Sequence, residues 1–503
     1  MSGSFHKISV GLFFVSLCVP VLRAQQGSSQ QGSQQGSGQS SSNQNNSQGQ
    51  SNDQATAPIP AYRSPLASAA DQGNDNAIPA AVTPDDRPPA GAQDLSLGSP
   101  ETSRSYWQPH VSLIETGDSD ALYGTGSGWT SYTSVAGGLD LHKISGRSDL
   151  TLSYLGGGTF SNDGSLGNTV TQELIFSEKL TLGRFKLSFL DSMDYVPETG
   201  FGYGGFGGLG IGGFGLAASG ALGLQPGLSA EGTILTTNGQ QIDNSSIVEV
   251  DMNLTPRSSV TMLGGYSFLR FLDNSLLDVN NYFGQVGYNH QLSRADTIAV
   301  LYRYSQFSYA GFNQKIQDNV AQLTYAKRLT GRLAFQVGAG PDYALFDTPV
   351  LTSGGGATSS TELTWSLGTS LTYQLKRGTL GLSYSHGVVG GSGVLSGAIA
   401  DTFTGTMTRK LTRTTNFGLN GGYARNTALA IPGFAVYNQN YNYWFGGANV
   451  SRPWGRTLNL FLSYQFQYQD SNVGFCIGPS CSTNFTRHII SGGVTWQSRP
   501  MLF

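Results

Sequence analysis

From Tyr106 onward, apolar and polar residues alternate with a period of two, the repeat of a β-strand with one apolar and one polar face. Leu363, Trp365, Leu367, Leu371, Tyr373 and Leu375 share one parity, and Thr364, Ser366, Gly368, Ser370, Thr372 and Gln374 share the other. The pattern recurs at Leu458, Leu460, Leu462, Tyr464, Phe466 and Tyr468, opposite Asn459, Ser463, Gln465, Gln467 and Gln469. Val248, Val250, Met252 and Leu254 likewise face away from Glu249, Asp251 and Asn253. Eight very short turns interrupt these stretches, holding Arg147, Arg184, Arg257, Arg294, Arg332, Arg377, Arg413 and Arg456. The stretches that leave them end in longer loops rich in Gly, Ser and Asn. Short turns at one end and long loops at the other predict an all-β, up-and-down antiparallel barrel.

The turns set the strand number. They join sixteen strands in pairs, and one strand before them (about Trp107 to Glu115) and one after (about Phe485 to Gln497) bring the expectation to about eighteen, with sixteen as the alternative. An even number leaves both termini on one side, as in bacterial outer-membrane barrels. Alternation by itself fits a soluble sandwich as well as a membrane barrel, because the two differ only in which face meets the interior. Segments of roughly ten residues or more suit a tilted spanning strand. Aromatics near segment ends (Tyr302, Tyr304, Tyr423, Tyr468, Trp496) suit an interfacial girdle. The Arg turns either anchor charge at the inner lipid surface or are simply soluble tight turns.

Composition supports this and excludes other classes. Only 12% of the chain is charged, against roughly a quarter for soluble proteins. Net charge is −3 and there is no basic stripe, so nucleic acid is not an expected partner. Residues 1–24 read as a signal peptide: His6 and Lys7 begin it, Ile8 to Leu22 form its apolar core, and Ala24 precedes Gln25. Leu17 before Cys18, where a lipoprotein box has a small residue, argues against lipidation. Residues 25–104 read as a disordered leader, first Gln/Ser/Gly/Asn-rich and then Pro/Ala-rich. The barrel occupies 105–503. Cys476 and Cys481 share a loop, and secretion makes a local disulfide their default state.

Candidate chemistry lies on the polar faces. Parity directs Asp140, Glu173, Lys186, Glu249, Asp251, Arg303, Arg328 and Lys410 to the lumen. Their mixed sign predicts weak ion selectivity. The longest loop, from about Val196 to Asn244, carries Phe201, Tyr203, Phe206 and Phe214 among glycines. Folded inward it would constrict a channel; otherwise it is a surface loop. No Lys-Ser/Thr follows the glycines, so it is not a phosphate cradle. HExxH, GxSxG and paired-carboxylate motifs are missing, His142 and His290 stand isolated, and Ser385 and His386 point to opposite faces. No enzyme, cofactor or metal site is expected.

The chain ends in Phe503, preceded by Val494 and Trp496. It thereby resembles the bacterial outer-membrane porin-like class, although Arg499-Pro500 interrupts the alternation. The Gln/Ser/Gly-rich leader makes it similar to acidobacterial outer-membrane barrel proteins. Polysaccharide-export barrels are a weaker resemblance, since no excess of Arg and Lys marks the lumen. The porin-like resemblance implies passive diffusion of small hydrophilic solutes, with outer-membrane lipids and the barrel-assembly machinery as partners. A plugged structural or surface-interaction barrel and a polysaccharide exporter are the alternatives. The sequence carries no signal for oligomeric state.

Overall fold

The computed structural model describes residues 105–121, 128–162, 164, 168–196, 240–272, 277–310, 314–349, 357–390, 397–429, 440–471 and 484–503. The leader, the signal segment, the aromatics Phe201, Tyr203, Phe206 and Phe214, and Cys476 and Cys481 lie outside the described residues. Eighteen long strands follow one another: β1 (Tyr106–Asp118), β2 (Thr130–Ser145), β3 (Ser148–Ser161), β4 (Thr169–Leu182), β5 (Phe185–Val196), β6 (Gln241–Thr255), β7 (Ser258–Phe271), β8 (Val279–Gln291), β9 (Asp296–Tyr309), β10 (Lys315–Thr330), β11 (Leu333–Pro349), β12 (Ala357–Leu375), β13 (Gly378–Val389), β14 (Ala398–Lys410), β15 (Asn416–Ala428), β16 (Asn440–Trp454), β17 (Leu458–Ser471) and β18 (Phe485–Gln497). Each pairs antiparallel with the next, and β1 pairs with β18 from His110↔Gln497 to Asp118↔Ile489, so the sheet closes into a barrel.

All eight Arg residues sit in or beside the short connections between an even strand and the following odd one. Gly183 and Gly455 precede two of them with φ of 63° and 76°, a left-handed conformation that glycine adopts without steric cost. The turns also tie hairpins together. The carbonyls of Arg147, Arg184, Arg257, Arg332 and Arg377 accept N–H groups from Thr181, Asn253, Gln291, Gln374 and Lys410 of the next hairpin. At the short end of the barrel these bonds tie successive hairpins to one another.

At the closing seam the chain does not stop at β18. Ser498 donates its N–H to Pro109 O, and Gln108 Nε2 donates to Ser498 O. Past Arg499 and Pro500 a two-residue strand, β19 (Met501–Leu502), pairs with Trp107 and Tyr106. The register moves by one residue across this stretch, as in a β-bulge. The break in alternation is therefore a kink that lets the C-terminus complete the seam.

The faces are inverted relative to a soluble protein. On β1, Gln108, His110, Ser112, Thr116 and Asp118 are buried, while Val111 and Leu113 on the other parity are exposed. On β17, Ser463, Gln465, Gln467 and Gln469 are buried, and Leu462 is 59% exposed. Trp107, Phe185, Trp454 and Trp496 stand outward near the short-turn end, and Tyr282, Tyr302, Trp365 and Trp444 do so farther up. An apolar belt edged by aromatics is what a hydrocarbon layer selects. A fourteen-residue strand tilted by about 40° rises roughly 35 Å, some 10 Å more than that belt needs. Two outward carboxylates in the upper halves of their strands are matched by neighbours. Glu115 accepts from Thr133 and Asn162, both at 2.6 Å, and Asp191 accepts from Asn244 at 3.1 Å and Ser246 at 2.5 Å.

Candidate functional site: the lumenal wall

Strand register fixes which side chains share the inner face. Asp140 lies opposite Ser153, Glu173 opposite Asp194, Lys186 opposite Asp251, Glu249 opposite Ser188, Arg303 opposite Val320, Arg328 opposite Ala334 and Lys410 opposite Asn416. All eight residues of the sequence set fall on the parity that also carries the buried polar side chains, but they do not form one cluster. Lys186 and Asp251 are register partners low on the wall, and Thr261 Oγ1 donates to Asp251 at 2.5 Å. Arg303 reaches Asp318 at 3.3 Å, with both nearly inaccessible. Asp140 accepts from Ser153 Oγ at 2.7 Å and lies 3.4 Å from His110 Nδ1. Lys410 sits at the exposed short-turn end.

Several residues that the sequence reading passed over complete the picture. Arg487 of β18 donates through Nε to both oxygens of Asp118 of β1, at 3.0 and 2.9 Å, and its Nη2 joins the same carboxylate. This pair spans the closing seam from the inside. On β10 and β11, Asp318 and Asp342 lie within hydrogen-bonding reach of each other beneath Arg303, and Asp342 Oδ2 also accepts the N–H of Val388 at 3.3 Å. On β4, β5 and β6, Glu173, Asp194 and Asp243 are direct register neighbours in one row. Parity from Lys186 would have reached Asp194. The polar, glycine-rich connection obscures Asp243 in the sequence, since β6 begins at Gln241 and not after Asn244.

The histidines also differ from expectation. His142 and His290 are not isolated: His142 Nε2 lies 2.7 Å from Asp149, and His290 Nδ1 lies 2.9 Å from Ser258 Oγ. His386 faces outward, as its parity with Ser385 requires. It stacks on Trp365 with ring centres 3.9 Å apart, and Asp401 bridges it to Tyr384 with two 2.7 Å contacts.

Among the described residues, the upper end of β13 enters the lumen. The β12–β13 ladder ends at Leu367↔His386, although β12 continues along β11 and β13 continues along β14. The upper end of β13 turns inward. Val388 joins an apolar cluster with Leu269, Phe307, Ile316, Phe346 and Leu429, and Gly390 O accepts a hydrogen bond from Tyr309. A Cβ on Gly390 would come within 2.3 Å of Phe307, and one on Gly397 within 2.3 Å of Ile316. Glycine at both positions is what lets the stem of this β13–β14 loop lie flat on the β9–β10 wall. Val279, Phe307, Ile316 and Val388 are at 0% exposure, so the stem is packed like a core element.

No family model and no curated protein matches the chain. Solved structures similar to it include Pseudomonas aeruginosa OccK2 (OpdF) in complex with glucuronate, at 10% identity, 78% of this chain, 98% of that chain and TM-score 0.39. Pseudomonas aeruginosa OpdL has 10% identity over 78% and 99% of the two chains, with TM-score 0.37. The ferric-catecholate import receptor Fiu from E. coli K12 has 9% identity over 80% and 82%, with TM-score 0.38. At that identity and score these likenesses carry no argument about function, and the fold rests on the strand pairing and the faces described above.

Proposed function

We propose that the protein is an outer-membrane, porin-like channel for passive diffusion of small hydrophilic solutes. One observation carries this reading: a closed ring of eighteen long strands has an apolar, aromatic-edged outside and a polar inside. A ring of that size encloses more space than its own side chains fill, and a polar wall suits water and polar solutes. On this reading Asp140, Glu173, Lys186, Glu249, Asp251, Arg303, Arg328 and Lys410 line the path. The signal peptide at 1–24, the disordered leader at 25–104, the Cys476–Cys481 disulfide and use of the Phe503 terminus by the assembly machinery belong to the same proposal. So does kinship with acidobacterial barrels.

Protein purified in detergent and inserted into planar bilayers should give steady ohmic conductance. Silence at high protein density would refute the channel and favour a plugged structural barrel. A specific observation supports that second reading: inner-face side chains on β1, β9, β10, β17 and β18 are buried along nearly the whole strand, and the β13–β14 stem occupies the upper lumen. Polysaccharide export gains no comparable support, because acids rather than bases dominate the inner wall of β2–β6.

A further inference from the structure

We infer that the stem of the β13–β14 loop is a two-position gate, and that the wall it covers is a binding site for a short apolar peptide, which the stem itself imitates. This rests on the channel reading above and names a solute class for it.

Near the upper ends of β7–β11 the inner face is apolar. Leu269, Val279 and Tyr309 are register neighbours in one row, and Phe307, Ile316 and Phe346 in another. Farther down the same faces stand Ser267, Asn281, Ser305 and Asp318. The upper inner faces of β17 and β1 carry Gln469 and Asp118 instead. An apolar patch facing a water-filled lumen is unfavourable unless something covers it.

The cover is the stem, residues 387–390 and 397–400. Val388, with Ile399 opposite it on β14, packs into the cluster of Phe307, Ile316 and Phe346. The backbone of the stem adds polar contacts. Val388 donates its N–H to Asp342 Oδ2 at 3.3 Å, and the Gly390 carbonyl accepts from the Tyr309 hydroxyl. A branched apolar side chain, its own N–H and a carbonyl two residues on are the features of an extended apolar peptide. The wall already binds one, as part of the same chain. A free peptide of that kind makes the same contacts.

A second, independent observation gives the stem another seat. The β12–β13 ladder stops at Leu367↔His386, yet β12 runs on to Ala357, and no other described strand pairs with that edge. An unpaired strand edge is a template for pairing. Counting on from the last pair sets Gly387 opposite Ser366, Val388 opposite Trp365 and Val389 opposite Thr364. Parity suits this seat, because Val388 shares the outward face of Leu382, Tyr384 and His386. One apolar face thus serves both positions, against the inner wall or toward the membrane side. Gly387 lies between the two seats: a Cβ on it would be 3.6 Å from Asp342 Oδ2 and 3.7 Å from Ser366 Oγ. Zipping the ladder uncovers the apolar rows, and a peptide that covers them shifts the population toward the zipped position.

The test uses the full chain carrying Thr364→Cys and Val389→Cys in planar bilayers. The probe is a synthetic peptide of the sequence 387–390 with both ends blocked. The two positions face each other only in the zipped ladder, so oxidation locks the stem out, and mass spectrometry identifies the linkage. Heat-modifiable gel migration verifies that each variant is folded. The peptide should block the oxidised protein at concentrations about tenfold or more below those that act on the reduced protein, where the tethered stem competes at high effective concentration. Phe307→Ser in the oxidised protein should weaken the block about tenfold, through lost apolar contact. Cysteines that stay unlinked in the folded protein would overturn the gate and leave the channel standing. Block that is missing, or equal in all forms, would overturn the site and leave the channel standing. Silence in bilayers, with calorimetric peptide binding to the oxidised form that Phe307→Ser loses, would uphold the site and overturn the channel. Silence without binding would overturn both.

Discussion

Two stretches of the same inner wall treat carboxylates in opposite ways. Around the seam and on β9–β11, buried acids are given donors by the fold itself: Arg487 clasps Asp118, Arg303 reaches Asp318, and the Val388 amide reaches Asp342. On β4–β6, Glu173, Asp194 and Asp243 stand side by side, Asp194 and Asp243 within hydrogen-bonding reach of each other, with Lys179 and Lys186 lower on the same strands. A matched acid holds the barrel together and is unavailable to anything passing.

The largest test of this contrast is at the seam. Arg487→Met leaves Asp118 buried, charged and without its guanidinium. Removing one partner of a buried pair costs about 3–5 kcal/mol. The urea midpoint in lipid should fall accordingly, and Arg487→Met with Asp118→Leu should recover most of the loss. A single variant as stable as wild type would mean that the seam does not depend on the matched pair.

The upper lumen comes next. Gly390→Val places side-chain atoms where Phe307 already lies, and overpacking of this kind costs about 1–3 kcal/mol. Expulsion of the β13–β14 stem is the cheapest relief, because Val388 and Gly390 are held by a few apolar contacts and two hydrogen bonds. Single-channel conductance should rise. Unchanged conductance would show that the stem does not narrow the path.

The hairpins were legible because each is local. A period of two, broken by a short turn with an arginine, needs no knowledge of distant contacts, and the parities of Val248–Leu254, Leu363–Leu375 and Leu458–Tyr468 reappear as faces of the wall. What joins residues far apart was not legible. Arg487 and Asp118 are 369 positions apart and meet only because the barrel closes. Gly390 and Tyr309 are 81 apart and meet only because β13 leaves β12. The acid row lies between these extremes. Each member obeys strand parity, but Asp243 adjoins a connection whose polarity hides where β6 starts. Mixed charge along the sequence implied weak selectivity, and register adds only where the charges stand: the acids of β4–β6 lie in one row, with Lys179 and Lys186 lower on the same strands.

The smallest effect has the most informative sign. Asp194→Asn removes one charge from a row of like charges, so stability should stay level or rise by about 1 kcal/mol, the reverse of the seam variant. Urea midpoints in lipid measure it. If Asp194→Asn destabilises the barrel, Asp194 is a matched structural acid like Asp118, and the distinction between the two walls fails at the residue that defines it.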